Sequence, residues 1–62
     1  MPIVTVQQSP RDIEQKRRLV AGITEVLVEA YGVAPEHVQV FIQEVDDHNW
    51  AKAGVLAADR QR

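Results

Sequence analysis

The chain of 62 residues contains no cysteine. A disulfide and a thiolate metal site are therefore both excluded. Histidine occurs only as His37 and His48, which are far apart in the sequence, and no metal-binding spacing stands out. A domain of about 60 residues buries only about 60% of the surface that its unfolded chain exposes, so small scaffolds without such cross-links depend on partner chains. The composition predicts a self-associating protein.

Long apolar runs and a strong charge imbalance are also lacking. No run of about 18 apolar residues is present, so the sequence predicts no membrane span. The N-terminus has no basic region followed by a hydrophobic one, so we expect no signal peptide and a cytoplasmic protein. The net charge of −2, with both signs scattered, argues against a nucleic-acid or membrane partner. Hydrophobic residues make up 45% of the chain, and we expect one globular domain over residues 1–62.

Two short β-branched segments flank one long amphipathic segment. Residues 2–7 (PIVTVQ) and 38–45 (VQVFIQEV) are typical of strands. Between them, apolar residues follow the helical period of 3.6 residues. These residues are Ile13, Leu19, Val20, Ile23, Val26, Leu27, Ala30 and Tyr31. Gly32 is a typical residue to end this helix.

The start of the helix has two candidate N-caps. Ser9 is one, with Pro10 at the first helical position. Asp12, with Gln15 as its partner, is an equally good alternative. Within the helix, Gly22 indicates close packing against a strand, because glycine otherwise costs about 1 kcal/mol relative to alanine there.

The order strand, helix, strand predicts an α/β (or α+β) fold made of a single β-α-β unit with parallel strands. The segment DDHN reads as a polar turn, and WAKAGVLAADRQR as a short C-terminal hairpin or a strand that reaches a neighbour. Two strands and one helix do not form a stable sheet alone. Pairing of two units would give a four-stranded sheet per dimer, and its uncovered face, which carries Phe41, would need further protomers.

Four segments in this order resemble one known family over essentially the whole chain. They are Pro2 directly after Met1, IEQKRRLV at the helix start, VQVFIQEV in the second strand, and HNWAKAG near the C-terminus. The chain is similar to 4-oxalocrotonate tautomerase and its small relatives in the tautomerase superfamily. The resemblance implies an isomerase that is a homohexamer built as a trimer of dimers. It also implies active sites at subunit boundaries, with no metal and no organic cofactor.

The resemblance implies that Pro2 becomes the N-terminal residue and acts as the general base of a keto–enol tautomerase. Its substrates would be small 2-hydroxy-dienoates or aryl enolpyruvates. A base works best with a pKa near the working pH, and an α-amino group starts at about 7.7–8.0. An apolar pocket and a nearby cation would lower that pKa further. On the motif alone, a proline that begins an edge strand is the simpler interpretation, and the full-length resemblance favours the base.

Three further residues match the family's substrate-binding positions. Arg11 precedes the helix, where an arginine would bind a substrate carboxylate near free backbone N–H groups, although the stretch from Pro2 is one residue shorter than in the best-known member. Gln39 replaces the arginine of diacid-handling members, which predicts weaker activity on a diacid such as 2-hydroxymuconate and a monoacid substrate. Trp50 would form an apolar wall around Pro2. The alternatives are a solvated Arg11, an interface Gln39 and an interface anchor at Trp50.

Other polar residues carry simpler interpretations. We interpret Asp46, Asp47 and His48 as turn residues, and Lys16, Arg17 and Arg18 as a solvated helix face. The resemblance implies that family members which hydrate or dehalogenate acrylates carry a carboxylate in the C-terminal segment to activate water. No acid lies in AKAGVLA, which argues against a primary hydratase or dehalogenase. Two other functions stay open: a non-catalytic oligomerising module with an incidental proline, and another superfamily reaction, such as decarboxylation or hydration, with tautomerisation as a side activity.

Overall fold

A computed structural model describes residues 1–60 and contains one helix and two small sheets. The elements are β1 (Ile3–Gln8), α1 (Ile13–Tyr31), β2 (Gln39–Glu44), β3 (Ala51–Lys52) and β4 (Val55–Leu56). β1 and β2 pair in parallel, from Ile3 opposite Gln39 to Gln8 opposite Glu44. β3 and β4 pair antiparallel. The β-α-β unit with parallel strands and a C-terminal hairpin is confirmed, while residues 61 and 62 of the predicted domain lie outside the described residues.

The helix begins directly after Asp12, which is its N-cap. The Asp12 carboxylate accepts the backbone N–H of Gln15 at 2.8 Å, which satisfies one of the free N–H groups of the first turn. The alternative with Ser9 and Pro10 is wrong, because the sheet ladder continues to Gln8, whose carbonyl accepts the Val45 N–H at 2.8 Å. Residues 9–12 are then needed to carry the chain from the sheet edge to the helix.

The sheet formed by β1 and β2 has one face toward α1 and one face open. Side chains alternate along both strands, so that Val4 and Val40 are half-buried on the helix side. On the other side, Ile3 keeps 60% and Phe41 keeps 55% of its surface exposed. This open apolar face is the one for which the sequence predicts further protomers.

The single chain has no core of its own. None of the residues that the structure describes is fully buried. The radius of gyration is 15.0 Å and the extents are 44 × 23 × 14 Å, whereas a compact domain of this length has a radius of about 11 Å. This open shape leaves the apolar surface of the single chain exposed.

An apolar groove, which we call the helix groove, lies along α1. It has a volume of about 580 Å³ and is lined by Val4, Arg18, Leu19, Gly22, Ile23, Val26 and Leu27. A Cβ added to Gly22 would meet no atom within 4 Å. The predicted packing of Gly22 against a strand is therefore wrong within the protomer, because Gly22 faces the open groove.

The C-terminal hairpin turns tightly through two residues in the left-handed region. Ala53 has a φ of 54° and Gly54 a φ of 80°, as expected for the tight turns that match the twist of two paired strands. Arg60 donates from Nη2 to the carbonyl of Lys52 at 2.7 Å, and Ala57 donates its N–H to the carbonyl of Trp50 at 2.7 Å. The segment after the hairpin is thereby held against it. Across residues 1–60, α1 is too polar to qualify as a membrane-spanning helix, and no other helix does.

Candidate functional site

Two of the four predicted site residues meet at the start of the parallel strands. The backbone N–H of Gln39 donates to the carbonyl of Pro2 at 3.1 Å. The Gln39 side chain donates from Nε2 to the sulfur of Met1 at 3.3 Å. An amide donor therefore lies beside the N-terminal segment of its own chain, and we call this region the proline end.

The other two residues, Arg11 and Trp50, lie beyond the opposite ends of the strands, in a region that we call the arginine end. β1 contains six residues, and a strand rises about 3.3 Å per residue, so the two ends are separated by roughly 20 Å. A small enol cannot span that distance. Pro2 and Arg11 of the same chain are therefore not brought together by the fold.

The main chain of Arg11 is fixed by a hydrogen bond, while its guanidinium has no partner among residues 1–60. Its backbone N–H donates to Glu44 Oε2 at 3.0 Å, and its side chain makes no hydrogen bond or ion pair with any described residue. Arg11 also lines a cleft of about 180 Å³ with Gln8, Gln15, Lys16 and Leu19.

The expectation that free backbone N–H groups at the helix start would bind an anion together with Arg11 is corrected by the structure. Arg11 precedes the N-cap and is not part of the first helical turn. The Gln15 N–H, one of the groups that could have bound an anion, is taken by the Asp12 carboxylate at 2.8 Å. At the arginine end, the group available to bind an anion is therefore the Arg11 guanidinium more than the backbone N–H groups of the helix.

An ion pair that the sequence interpretation missed forms one edge of the site. Lys16 Nζ lies 2.6 Å from Glu44 Oε2, with only 26% and 32% of the two side chains exposed. The hydrogen bond from Lys16, and after it the Arg11 N–H, lowers the pKa of Glu44 below its ordinary value of 4.5. The interpretation of Lys16 as part of a solvated face is wrong. Parallel pairing was the available signal, because it brings the end of β2 to the start of α1.

Trp50 stands at a cleft of its own at the arginine end. It is 42% exposed and lines a volume of about 380 Å³ with Gln7, Gln8, Val45, Asn49 and Ala51. Trp50 therefore does not form an apolar wall around Pro2 of its own chain. A contact between Trp50 and a proline of this kind would require a second chain.

Gln8 separates the clefts of Arg11 and Trp50, since it lines both. Its Nε2 atom is buried and has no hydrogen-bond partner among residues 1–60. The sequence interpretation ended the first strand at residue 7 and assigned no role to Gln8. The signal was its alternation with Val4 and Val6, which places it on the helix side of the sheet.

The segment between β2 and the hairpin agrees with its interpretation as a turn. Asp47–Asn49 form one 3₁₀ turn, in which Asn49 donates its N–H to the carbonyl of Asp46 at 2.9 Å. His48 is exposed within it. A shallow surface depression beside the arginine end is lined by Ser9, Pro10, Asp46, Asp47 and His48.

Comparison with known proteins gives one consistent result. The family model described as "Tautomerase enzyme" matches residues 2–60. A 2-hydroxymuconate tautomerase of Bacillus subtilis is 40% identical, over 98% of this chain and 100% of the relative.

Solved structures agree with this match. The crystal structure of a 4-oxalocrotonate tautomerase homologue superposes with a TM-score of 0.91 at 35% identity, with 100% of both chains covered. A heterohexamer 4-oxalocrotonate tautomerase from Chloroflexus aurantiacus has a TM-score of 0.88 at 26% identity, with 98% of this chain and 100% of that chain covered. The chain thus belongs to the tautomerase family, and it is an isomerase of the 4-oxalocrotonate tautomerase type.

Proposed function

We propose that this protein is a cofactor-independent keto–enol tautomerase in which Pro2, freed by removal of Met1, is the general base. Pro2 takes the proton from the hydroxyl of a small 2-hydroxy-dienoate or aryl enolpyruvate and returns it to a carbon further along the conjugated system. Arg11 binds the substrate carboxylate, Gln39 donates to the other polar end, and Trp50 supplies an apolar wall.

The observation that supports this assignment most is the division of the site residues between two ends of the strands. Each chain carries a proline end and an arginine end roughly 20 Å apart, and each end is incomplete for the chemistry. A complete site forms where the proline end of one chain meets the arginine end of another. The exposed Ile3 and Phe41 on the sheet and Val26 on the helix supply the apolar surface for such contacts.

We further propose a single domain that assembles as a homohexamer, a trimer of dimers with one four-stranded sheet per dimer, in the cytoplasm. The heterohexamer among the structural relatives supports six-chain assembly for this fold. Native mass spectrometry of the purified protein tests the number of chains, and a stably folded single chain would contradict it.

Apposition of the two ends also explains how Pro2 would become a base at neutral pH. No cationic side chain among residues 1–60 makes a hydrogen bond with Pro2. A neighbouring Arg11 and Trp50 would add positive charge and an apolar wall, and both lower the pKa of an amine. The pKa of Pro2 is expected to fall below the usual range of about 7.7–8.0 only in the assembled protein.

The direct test follows the loss of enol absorbance with wild type and Pro2→Ala, after intact mass has shown that Met1 is absent from both proteins. General-base catalysis is typically worth about 10²–10⁴-fold, so Pro2→Ala is expected to lose at least about a hundredfold in kcat. Equal rates for the two proteins would remove Pro2 as the base. The same Pro2→Ala comparison with decarboxylation and hydration substrates distinguishes the related superfamily reactions.

A further inference from the structure

Glu44 is the residue that joins the end of the sheet to the segment carrying Arg11. It is the last residue of β2, and its Oε2 accepts the Arg11 N–H at 3.0 Å. This hydrogen bond links the connection between β1 and α1 to the end of β2, and it bridges residues 33 positions apart in the chain. The position of the Arg11 main chain therefore depends on the Glu44 carboxylate.

Lys16 engages the same oxygen of Glu44 at 2.6 Å. A carboxylate next to an arginine normally forms a bidentate pair with the guanidinium, which is the strongest arrangement available to the two groups. Here the carboxylate takes the arginine's backbone N–H and the lysine instead, and the guanidinium has no partner among the described residues. The contacts of Glu44 with Lys16 and with the Arg11 N–H therefore leave the guanidinium outside the pair.

We propose that Glu44, held by Lys16, is a positioning residue for Arg11: it fixes the Arg11 main chain and leaves the guanidinium free for a substrate carboxylate. This inference rests on the proposed function, in which Arg11 binds that carboxylate. Glu44 itself touches no substrate. Its contribution belongs to substrate binding through Arg11 and not to proton transfer at Pro2.

The experiment compares two matched substrates, one charged and one neutral. They are the enol form of phenylpyruvate and its methyl ester, which lacks the carboxylate charge. Glu44→Ala is expected to raise KM for the acid about tenfold, because a displaced binding group loses a large part of its effect, with kcat changed about twofold or less. KM for the ester should stay at the wild-type value. Glu44→Gln keeps an oxygen that can accept the Arg11 N–H, so it should recover most of the loss.

A double-mutant cycle with Arg11→Ala tests whether Glu44 acts through Arg11. In the Arg11→Ala background, adding Glu44→Ala should change KM for the acid by no more than about twofold. Additive effects, or equal losses on acid and ester, would overturn the positioning role and show that Glu44 only stabilises the fold.

Lys16→Met provides a second variant if Glu44→Ala fails to assemble in size-exclusion chromatography. Freed from Lys16, Glu44 should pair with the Arg11 guanidinium, and KM for the acid should rise while that for the ester does not. An unchanged KM for the acid would contradict the inference. The proposed function fails in a different way: Arg11→Ala would then affect acid and ester equally, or Pro2→Ala would retain full activity.

Discussion

At the residue scale, we propose that Gln39 selects which substrates the site can take. Its amide reaches the N-terminal segment, with Nε2 3.3 Å from the sulfur of Met1. When Met1 is removed, this donor is released beside Pro2. A neutral amide can bind a hydroxyl or oxo group, but it lacks the charge that a second carboxylate would require.

Gln39→Arg is therefore expected to shift preference toward diacids. The ratio of kcat/KM for 2-hydroxymuconate to that for the enol of phenylpyruvate should rise about tenfold, since charged hydrogen bonds are roughly twice as strong as neutral ones. Gln43→Arg serves as the control, because Gln43 lies on the same strand face but near the arginine end. No change in the ratio, or the same change in the control, would show that position 39 does not select the substrate.

A second prediction at this scale concerns the pH dependence of stability. Because Lys16 and the Arg11 N–H lower the pKa of Glu44 below 4.5 in the folded protein, the stabilisation is present above that pH. It is lost as the pH falls through the lower, folded-state pKa and the carboxylate becomes protonated in both states.

The melting temperature of wild type should exceed that of Glu44→Gln at pH 7, and the difference should shrink as the pH falls below 4.5 and through the lower, folded-state pKa. Protein concentration must be equal in all samples. Glu14→Gln is the matched control, since the Glu14–Arg17 pair lies on the exposed helix surface with 73% and 65% of the side chains accessible, where ion pairs contribute little. A wild-type advantage that does not shrink as the pH falls below 4.5 would contradict this assignment.

At the scale of elements, the local pattern of the sequence was sufficient for the strands, the helix and their order. The β-branched runs predicted β1 and β2 within two residues of their ends, and Gly32 ends α1 with a φ of 68°. The short and irregular C-terminal segment predicted either a hairpin or a strand that reaches a neighbour, and the structure shows the hairpin. Its turn passes through Ala53, and alanine does not normally predict a left-handed conformation. These features depend on neighbouring residues, and so local chemistry specifies them.

The elements of the candidate site that were missed depend on contacts between distant residues. The Lys16–Glu44 pair, the held main chain of Arg11 and the buried amide of Gln8 arise only when the end of β2 reaches the start of α1. A helical pattern that places Lys16 beside Arg17 and Arg18 carries no information about that partner. The same limit applies to Gly22, because a helical pattern does not show whether a strand reaches the glycine, and no atom of a neighbouring element among residues 1–60 lies within 4 Å of an added Cβ.

The helix groove supplies a prediction about assembly. Gly22 is the part of the groove without a side chain, and nothing in the protomer lies within 4 Å of an added Cβ. If another copy covers the groove, Gly22→Leu should obstruct it and shift the protein toward smaller species in native mass spectrometry at equal concentration. Ala21→Leu adds the same side chain to the residue before Gly22, which does not line the groove. This variant should form an assembly of the same size as wild type. An intact assembly for Gly22→Leu would place the contact elsewhere.

At the scale of the whole molecule, the separation of Pro2 from Arg11 predicts complementation between inactive chains. A mixed site can combine the proline of an Arg11→Ala chain with the arginine of a Pro2→Ala chain. Random assembly of an equal mixture would restore about a quarter of the sites, provided that each site draws these two residues from different chains.

Co-refolding the two variants and measuring enol loss tests this expectation. Activity should recover to about a quarter of the wild-type value, while unmixed samples of each variant, refolded alone, should remain low. A mixture with only the average activity of its two components would mean that one chain supplies both residues, against the geometry of β1.

The absence of a buried side chain among residues 1–60 of the single chain also bears on how much of this protein a cell must make. Newly synthesised copies that have not yet met a partner would expose their apolar surface and be open to proteolysis. Since association is a matter of mass action, the working enzyme would accumulate steeply once synthesis passes a threshold, and weak expression would yield almost none. Dosage, as much as catalytic quality, would then govern the flux through the reaction.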